Sequence, residues 1–219
     1  MTAAGRSQRF VDAGYLTPKP ALEINWRGTI AHMVSHVVTQ IPSEYVAVVT
    51  TGAVRLPITW YDVHSIEKTF GPAETTLLGL RRIQHDGPVV VMDCDTIVLR
   101  KDLERLVKAL EVSAAAVLVY ESDDKNMSRI DEYPYPTVFV EKKRISPWGV
   151  VSARGFSSAA TLRSCLTQVL EEALTIGREP TMSHVLNRYP GVKRAIEIAE
   201  WIDWGTPARV IKSGARIVG

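Results

Sequence analysis

Asp93-Cys94-Asp95 stands directly after the apolar run Val89-Val90-Val91-Met92. A buried strand that ends in two carboxylates places them at the carboxyl edge of a sheet, where a hard, oxygen-seeking cation can be held against phosphate. Acidic residues after strands also serve as turn or cap residues, and Asp95 could cap a turn leading to a helix at Asp102. A further carboxylate, Asp203, sits among apolar neighbours in Trp201-Ile202-Asp203-Trp204-Gly205-Thr206-Pro207. It would be costly to bury there without a cation or hydrogen-bond donors. A turn aspartate bonded to backbone N–H groups is the other reading.

Opposite charge is gathered near the N-terminus. Ala3-Ala4-Gly5-Arg6-Ser7-Gln8-Arg9-Phe10 is a small-residue turn with two arginines, followed by Gly14-Tyr15 and Pro18-Lys19-Pro20. Such a turn offers backbone N–H groups and guanidinium forks to phosphate oxygens, and Lys19 between its prolines adds a positioned point charge. A triphosphate is the natural guest, although the same residues would also suit an ordinary surface loop. Glu141-Lys142-Lys143-Arg144 reads on spacing alone as a solvated turn of charges between strands. No nucleophile and base pair is evident among the five histidines and two cysteines.

These residues need a scaffold, and the composition allows one. The chain has 219 residues, 46% hydrophobic and 23% charged, with a formal net charge of +2. That excludes disordered, collagen-like and coiled-coil classes and suits one domain able to bury a sizeable core. With 26 Lys plus Arg against 24 Asp plus Glu, no global field draws the chain to nucleic acid or an anionic membrane, so any anion must be met by a local cluster. No apolar run approaches the roughly 20 residues of a membrane span, and no secretory signal is visible. Cys94 and Cys165 are too few for a disulfide framework; they fit a reducing cytoplasm and the role of small buried apolar residues.

Four β-rich runs, 45–50, 88–92, 115–120 and 137–140, read as buried strands. Helical spacing links Ile30, Met33, Val34, Val37 and Val38, then Leu77, Leu80 and Ile83, then Leu103, Leu106, Val107 and Leu110. This alternation predicts an α/β fold with a mainly parallel central sheet flanked by helices, which binds ligands at the carboxyl ends of its strands. After residue 120 the pattern changes to a polar stretch, then Tyr133-Pro134-Tyr135-Pro136 and the apolar segment 149–153, predicting a small mixed or antiparallel β region. A long helix follows, with Leu162, Leu166, Val169, Leu170 and Leu174 on one face and Ser157 or Ser158 as its cap. A shorter helix is expected over 181–186. No repeat or linker divides the chain, so one domain over 1–219 is expected.

In this order the segments resemble the sugar-phosphate nucleotidyltransferase family, enzymes built like the type-A glycosyltransferases. Gly5-Arg6-Ser7-Gln8-Arg9-Phe10 resembles the family's phosphate loop, and Pro18-Lys19-Pro20 with Ile24-Asn25-Trp26-Arg27-Gly28-Thr29 its lysine motif and the helix after it. Gly71-Pro72-Ala73-Glu74-Thr75 is similar to the segment opening a helix beside the base, Val91 to Asp95 to the strand ending in a metal-binding Asp, Glu141-Lys142 to the pair at the sugar-phosphate site, and Trp201 to Thr206 to the motif of the second metal-binding Asp. The resemblance implies Mg²⁺ on Asp95 and Asp203, a triphosphate neutralised by Arg9 and Lys19, and an acceptor phosphate on Lys142. It implies nucleotide contacts from Ala4, Gly5, Arg6, Ser7, Gly71 and Glu74, while Asp93 is adjacent rather than strictly matched. An anionic acceptor phosphate needs no general base, so positioning and charge neutralisation suffice for catalysis.

Two departures stand out. Ser7 occupies a place where the family usually has glycine, and only Met1 and Thr2 precede Ala3, so either the true start lies upstream or the first strand is truncated to a stub. The sequence is short after Asp203 for the extra domain some relatives carry. The leading expectation is transfer of NMP from an NTP to a sugar 1-phosphate, or to a phosphocholine-like acceptor, with release of pyrophosphate. The alternatives are a type-A glycosyltransferase holding a sugar nucleotide through Asp93-Cys94-Asp95, and a non-catalytic nucleotide-binding relative. Base and acceptor choice would fall to loops such as 50–59 and 122–136.

Overall fold

The structure is a computed structural model that describes residues 1–4, 7–25, 28–31, 33–34, 46–51, 62–66 and 69–218. In chain order its first half runs β1 (Thr2–Ala3), α1 (Gln8–Val11), a 3₁₀ turn (Lys19–Ala21), β2 (Glu23–Ile24), β3 (Ala47–Thr51), β4 (Asp62–Ile66), α2 (Pro72–Leu80), β5 (Val89–Met92), β6 (Thr96–Val98) and α3 (Arg100–Ala109). The second half runs β7 (Ala115–Glu121), β8 (Arg129–Ile130), β9 (Phe139–Val140), β10 (Trp148–Phe156), α4 (Ala159–Ile176), α5 (Met182–Arg188), β11 (Lys193–Glu197), β12 (Trp201–Asp203), α6 (Pro207–Lys212) and β13 (Ile217–Val218).

β4, β3 and β1 pair in parallel, and β1 continues to β5 through a parallel bridge between Thr2 and Asp93. Beyond β5 come β10, β7 and β11; β10 is antiparallel to both its neighbours, and β11 is parallel to β7. The order is therefore β4-β3-β1-β5-β10-β7-β11, with β10 reversed, and the mainly parallel sheet inferred from the alternating pattern is present. β1 has two residues and is gripped on both sides: Val49 N–H donates to Met1 O at 3.0 Å and Cys94 N–H to Thr2 O at 3.1 Å.

Helices cover both faces. Phe156 and Val150 of β10 face Leu77, Leu162, Leu166 and Val185 of α2, α4 and α5, while Val151 and Ala153 face Leu103 and Leu106 of α3. Both faces being buried explains why β5, β7 and β10 read as continuous apolar runs instead of alternating ones. Gly155 permits the close approach of α3, since a Cβ there would lie 3.0 Å from Leu110 Cδ1. Ser158 caps α4 by accepting from Thr161 N–H at 3.0 Å, and Gly177 ends it at φ 65°.

Several expectations change in detail. The strand expected over 137–140 is confined to Phe139–Val140, pairing with β8, and that over 149–153 extends to Trp148–Phe156. Leu174 leaves the buried stripe of α4 and is 67% exposed, because the face closes at Ala173 and the helix end runs on beside a cleft. Val107 likewise lies at the edge of its stripe. The helix expected from Ile30 begins there, with Ile30, Ala31 and Val34 buried, and its continuation through Val37 and Val38 lies outside the described residues. Cys94 and Cys165 are buried and unpaired, as small apolar residues would be. Among the described residues no helix is long and apolar enough to cross a membrane.

Candidate functional site

At the carboxyl edge of β5 the chain turns through Asp93 and Asp95 into β6, which pairs antiparallel with β12 so that Thr96 faces Asp203. That pairing, with Trp204 N–H donating to Asp95 O at 2.7 Å, brings residues 108 positions apart, from Asp95 to Asp203, to one point. Gly205 measures their convergence. A Cβ on Gly205 would lie 2.8 Å from Asp203 Oδ1, 3.2 Å from Asp95 Oδ2 and 3.8 Å from Arg209 Nη1.

Each carboxylate has a cationic neighbour. Lys19 Nζ donates to Asp95 Oδ2 at 2.6 Å, and Arg209 Nη1 donates to Asp203 Oδ2, whose other oxygen accepts the Gly205 N–H at 2.6 Å. Burial pushes the Asp95 carboxyl up, but the Lys19 ammonium outweighs it and holds the group below its ordinary value. At Asp203 the balance is reversed: burial and the nearby Asp95 charge raise the carboxyl despite Gly205 N–H and Arg209. Burial pulls Lys19 down, and Asp95 more than compensates, so its ammonium is held above the ordinary lysine value.

The floor of a cleft of about 940 Å³ is lined by Asp95 and Gly205, and its walls by Ala4, Ser7, Arg9, Lys19, Gly71, Glu74 and Lys142. The cleft thus gathers the predicted site residues that are described; Gly5 and Arg6 lie outside the described residues, and Asp203 stands behind Gly205 instead of on the wall. Ser7 adopts the left-handed conformation, φ 54° and ψ 22°, that a glycine would take most easily, and its Oγ accepts the Lys19 N–H at 2.9 Å. The serine therefore ties its own turn to the lysine. Glu74 is anchored on α2, its Oε2 accepting the Phe70 N–H at 2.6 Å. Gly71 lets this helix start close to the 179–180 turn, since a Cβ would lie 3.0 Å from Pro180 O. Lys142 also has positive φ, 53°, at a tight corner after Glu141, whose Oε2 accepts from Ser128 at 2.7 Å and Ser183 at 3.0 Å.

Three charged residues of this region escaped the sequence reading. Arg209 bridges Asp203 to Asp124. Arg154, on the reversed strand and largely buried, donates to Asp93 Oδ2 at 3.3 Å and to Ser152 O at 3.0 Å. Asp93 also accepts from Thr2 Oγ1 at 2.9 Å. The carboxylate of Asp93 is thus spent on β1 and β10. Pairings across 85 or 61 positions leave no local signature in the sequence.

The donor set suits a hard divalent cation. Carboxylate oxygens from Asp95 and Asp203 converge beside Gly205, and oxygen donors of this kind are what such a cation takes.

A mainly parallel sheet with one reversed strand, a basic loop after the stub strand and paired carboxylates at the carboxyl edge defines a nucleotidyltransferase-type α/β fold. Solved structures share it. A nucleoside-diphosphate-sugar pyrophosphorylase from Vibrio cholerae RC9 is 19% identical, with 97% of this chain and 98% of that chain covered at a TM-score of 0.77. A UDP-glucose pyrophosphorylase from Acinetobacter baumannii is 16% identical over 97% of this chain and 90% of its own, at 0.76. An inositol-1-phosphate CTP transferase from T. maritima is 13% identical over 95% and 89%, at 0.75. No curated protein sequence matches the chain. The chain belongs to the MobA-like NTP transferase domain family, whose model matches residues 2–178.

Proposed function

We propose that the chain transfers NMP from an NTP to a phosphorylated small molecule, a sugar 1-phosphate in the first place, and releases pyrophosphate. The observation that carries this reading is the convergence of Asp95 and Asp203 on Gly205 beside Lys19, at the floor of a cleft that also presents Arg9 and Lys142. Solved neighbours described as sugar and inositol phosphate nucleotidyltransferases support the acceptor class.

In this mechanism an oxygen of the acceptor phosphate forms a bond to the α-phosphorus, and the bond from that phosphorus to the bridging oxygen of pyrophosphate breaks. The nucleophile is already anionic, so no proton has to be removed. Arg9 and Lys19 bind the triphosphate and offset its charge; Lys142 holds the acceptor phosphate in line for attack. Asp95 and Asp203 would hold Mg²⁺, which supplies charge neutralisation at the α-phosphate and the leaving pyrophosphate. Glu141, fixed by Ser128 and Ser183, sets the acceptor end of the cleft. The glycosyltransferase alternative would use Asp93 with Asp95, whereas the carboxylate that meets Asp95 beside Gly205 is Asp203.

Pyrophosphate release across the four NTPs, each with a panel of sugar 1-phosphates and phosphocholine, tests the reading. The expected result is release for one nucleotide and acceptor combination, abolished by Asp203→Asn in a protein that remains folded. Silence across the panel, with nucleotide and Mg²⁺ still raising the melting temperature, supports the non-catalytic alternative and overturns the proposal.

A further inference from the structure

We propose that Arg209 is a built-in counter-ion that occupies the cation's electrostatic place at Asp203, so that the divalent cation binds strongly only together with nucleotide. The inference rests on the reading of Asp95 and Asp203 as the metal ligands and goes beyond it, because it assigns a role to a residue outside the phosphate loop and the acceptor site.

The argument begins with charge. Each carboxylate meant for the cation already holds a cation of the protein itself, Lys19 on Asp95 and Arg209 on Asp203. The point that a Gly205 Cβ would occupy is flanked by Asp203 Oδ1, Asp95 Oδ2 and, at 3.8 Å, Arg209 Nη1. A bare divalent ion approaching these two carboxylates meets neutralised groups and must drive off an ammonium and a guanidinium without any return. A triphosphate changes this balance. Its oxygens offer Lys19 a new partner and fill positions around the ion that two carboxylates leave open, so that the two ligands favour one another's binding by the same factor.

Arg209 is also built to let go without being lost. Its Nη2 donates to Asp124, so one prong of the fork can leave Asp203 while the other stays fixed. Asp124 is itself a firm post. Its Oδ1 accepts the Asn126 N–H at 2.9 Å, its own N–H donates to Ser122 Oγ at 3.1 Å, and its carbonyl accepts Arg129 Nη2 at 2.6 Å. Arg129 is fully buried and clamps the same loop through Ser122 O at 2.6 Å and Pro147 O at 2.7 Å. On the other side, α6 fixes the start of the Arg209 side chain: Thr206 Oγ1 accepts the Arg209 N–H at 3.2 Å, with Pro207 at the first helical position. A guanidinium held by both a helix and an anchored carboxylate can exchange one contact for another at low entropic cost.

The test is equilibrium binding of Mn²⁺, followed by the loss of its free-ion electron paramagnetic resonance signal, with and without a non-hydrolysable NTP analogue. For the wild-type protein the expected result is weak binding alone and strong binding with the analogue. Arg209→Met should tighten binding of the bare ion by at least about 10-fold, the direction that removal of one competing charge dictates, and should shrink the difference the analogue makes. Arg209→Gln, which keeps a polar head for Asp124, should do the same, whereas Arg209→Lys should behave as wild type. Damage to packing would weaken metal binding, never tighten it. If wild type binds Mn²⁺ with the analogue but neither neutral variant tightens binding of the bare ion, the counter-ion proposal is overturned while the metal-ligand reading stands. If wild type binds no Mn²⁺ with an analogue of any of the four NTPs, the metal-ligand reading falls and takes the proposal with it.

Discussion

Gly205→Ala puts one methyl group into the gap between the two carboxylates and nothing else. The backbone of Gly205 lies outside the left-handed region, so alanine adds no conformational strain there. Reduced freedom of the unfolded chain would by itself stabilise the variant by about 0.4–1 kcal/mol. Against that, the methyl carbon would sit 2.8 Å from Asp203 Oδ1, closer than such contacts allow, and 3.2 Å from Asp95 Oδ2. Over-packing of this kind destabilises by about 1–3 kcal/mol. The net loss is then roughly 0–2.6 kcal/mol, a fall in melting temperature of at most about 10 °C for a chain of this size. Activity should suffer far more. The Asp203 carboxylate must swing away from the methyl group, bending the 2.6 Å bond from Gly205 N–H, and a displacement of this order at a positioned group lowers turnover about 100-fold. Initial rates of pyrophosphate release and thermal unfolding, measured on the same preparation, check both halves. A folded alanine variant turning over within about twofold of wild type would refute the claim that these carboxylates act from this convergence.

Ser7 makes a comparable prediction in stability: Ser7→Ala keeps a left-handed β-carbon-bearing residue and loses the bond to Lys19 N–H, whereas Ser7→Gly loses the bond but relieves the conformation. Urea denaturation should therefore rank glycine above alanine by about 1 kcal/mol, and the reverse order would remove the argument. Burial pushes the Asp131 carboxyl up, but the Thr137 hydroxyl and the N–H groups of Val138 and Thr137 more than offset it, holding the group below its ordinary value. A lowered carboxyl stabilises the fold above the unfolded-state value and ceases to do so as pH falls through the folded one. Wild type should thus be more stable than Asp131→Asn by a constant margin from about pH 7 to about pH 5, and the margin should narrow below about pH 4; a margin that widens in acid would contradict it. Burial also pushes the Cys94 thiol up to about 12 and raises that of Cys165. Neither should react with a thiol reagent at pH 8 until the protein is denatured, and rapid labelling of Cys94 in the native state would show that the cleft floor opens.

What could be read from the chain and what could not divides along a physical line. Asp95 and Lys19 were legible because the strand before one and the prolines around the other are local patterns that fix direction. Asp203 was legible because its apolar neighbours demand a partner. Arg209, Asp124 and Arg154 were not, since each acquires its meaning from a contact made only after the sheet has closed. Arg129 lies in what reads as a polar loop, yet it is fully buried, its two terminal nitrogens donating to three backbone carbonyls, which no residue type in the sequence announces. The strands missed were of two kinds. β4 and β11 are the outermost strands of the sheet order, and β11 carries Lys193, Arg194 and Glu197, so neither shows the apolar run of a central strand. β6, β8 and β12 have two or three residues, too few to display any period.

The Ser7 turn and the Asp203 carboxylate, far apart in sequence, rest on one small apolar body. Phe10 of α1 packs in the same cluster as Trp204, Val210 and Ala215, with Leu22, Ile24 and Ile30 completing it. The Trp204 indole N–H donates to Ser213 Oγ at 2.8 Å, and its backbone N–H reaches Asp95 O, so one residue links the α6 turn, the cluster and the first carboxylate. Strand ends fix direction at a sheet edge but cannot by themselves hold a loop against a turn with the tolerance catalysis needs. Here Phe10, three residues after Ser7, shares one buried cluster with Trp204, the residue after Asp203, so that the Ser7 turn and the Asp203 turn have a common apolar support.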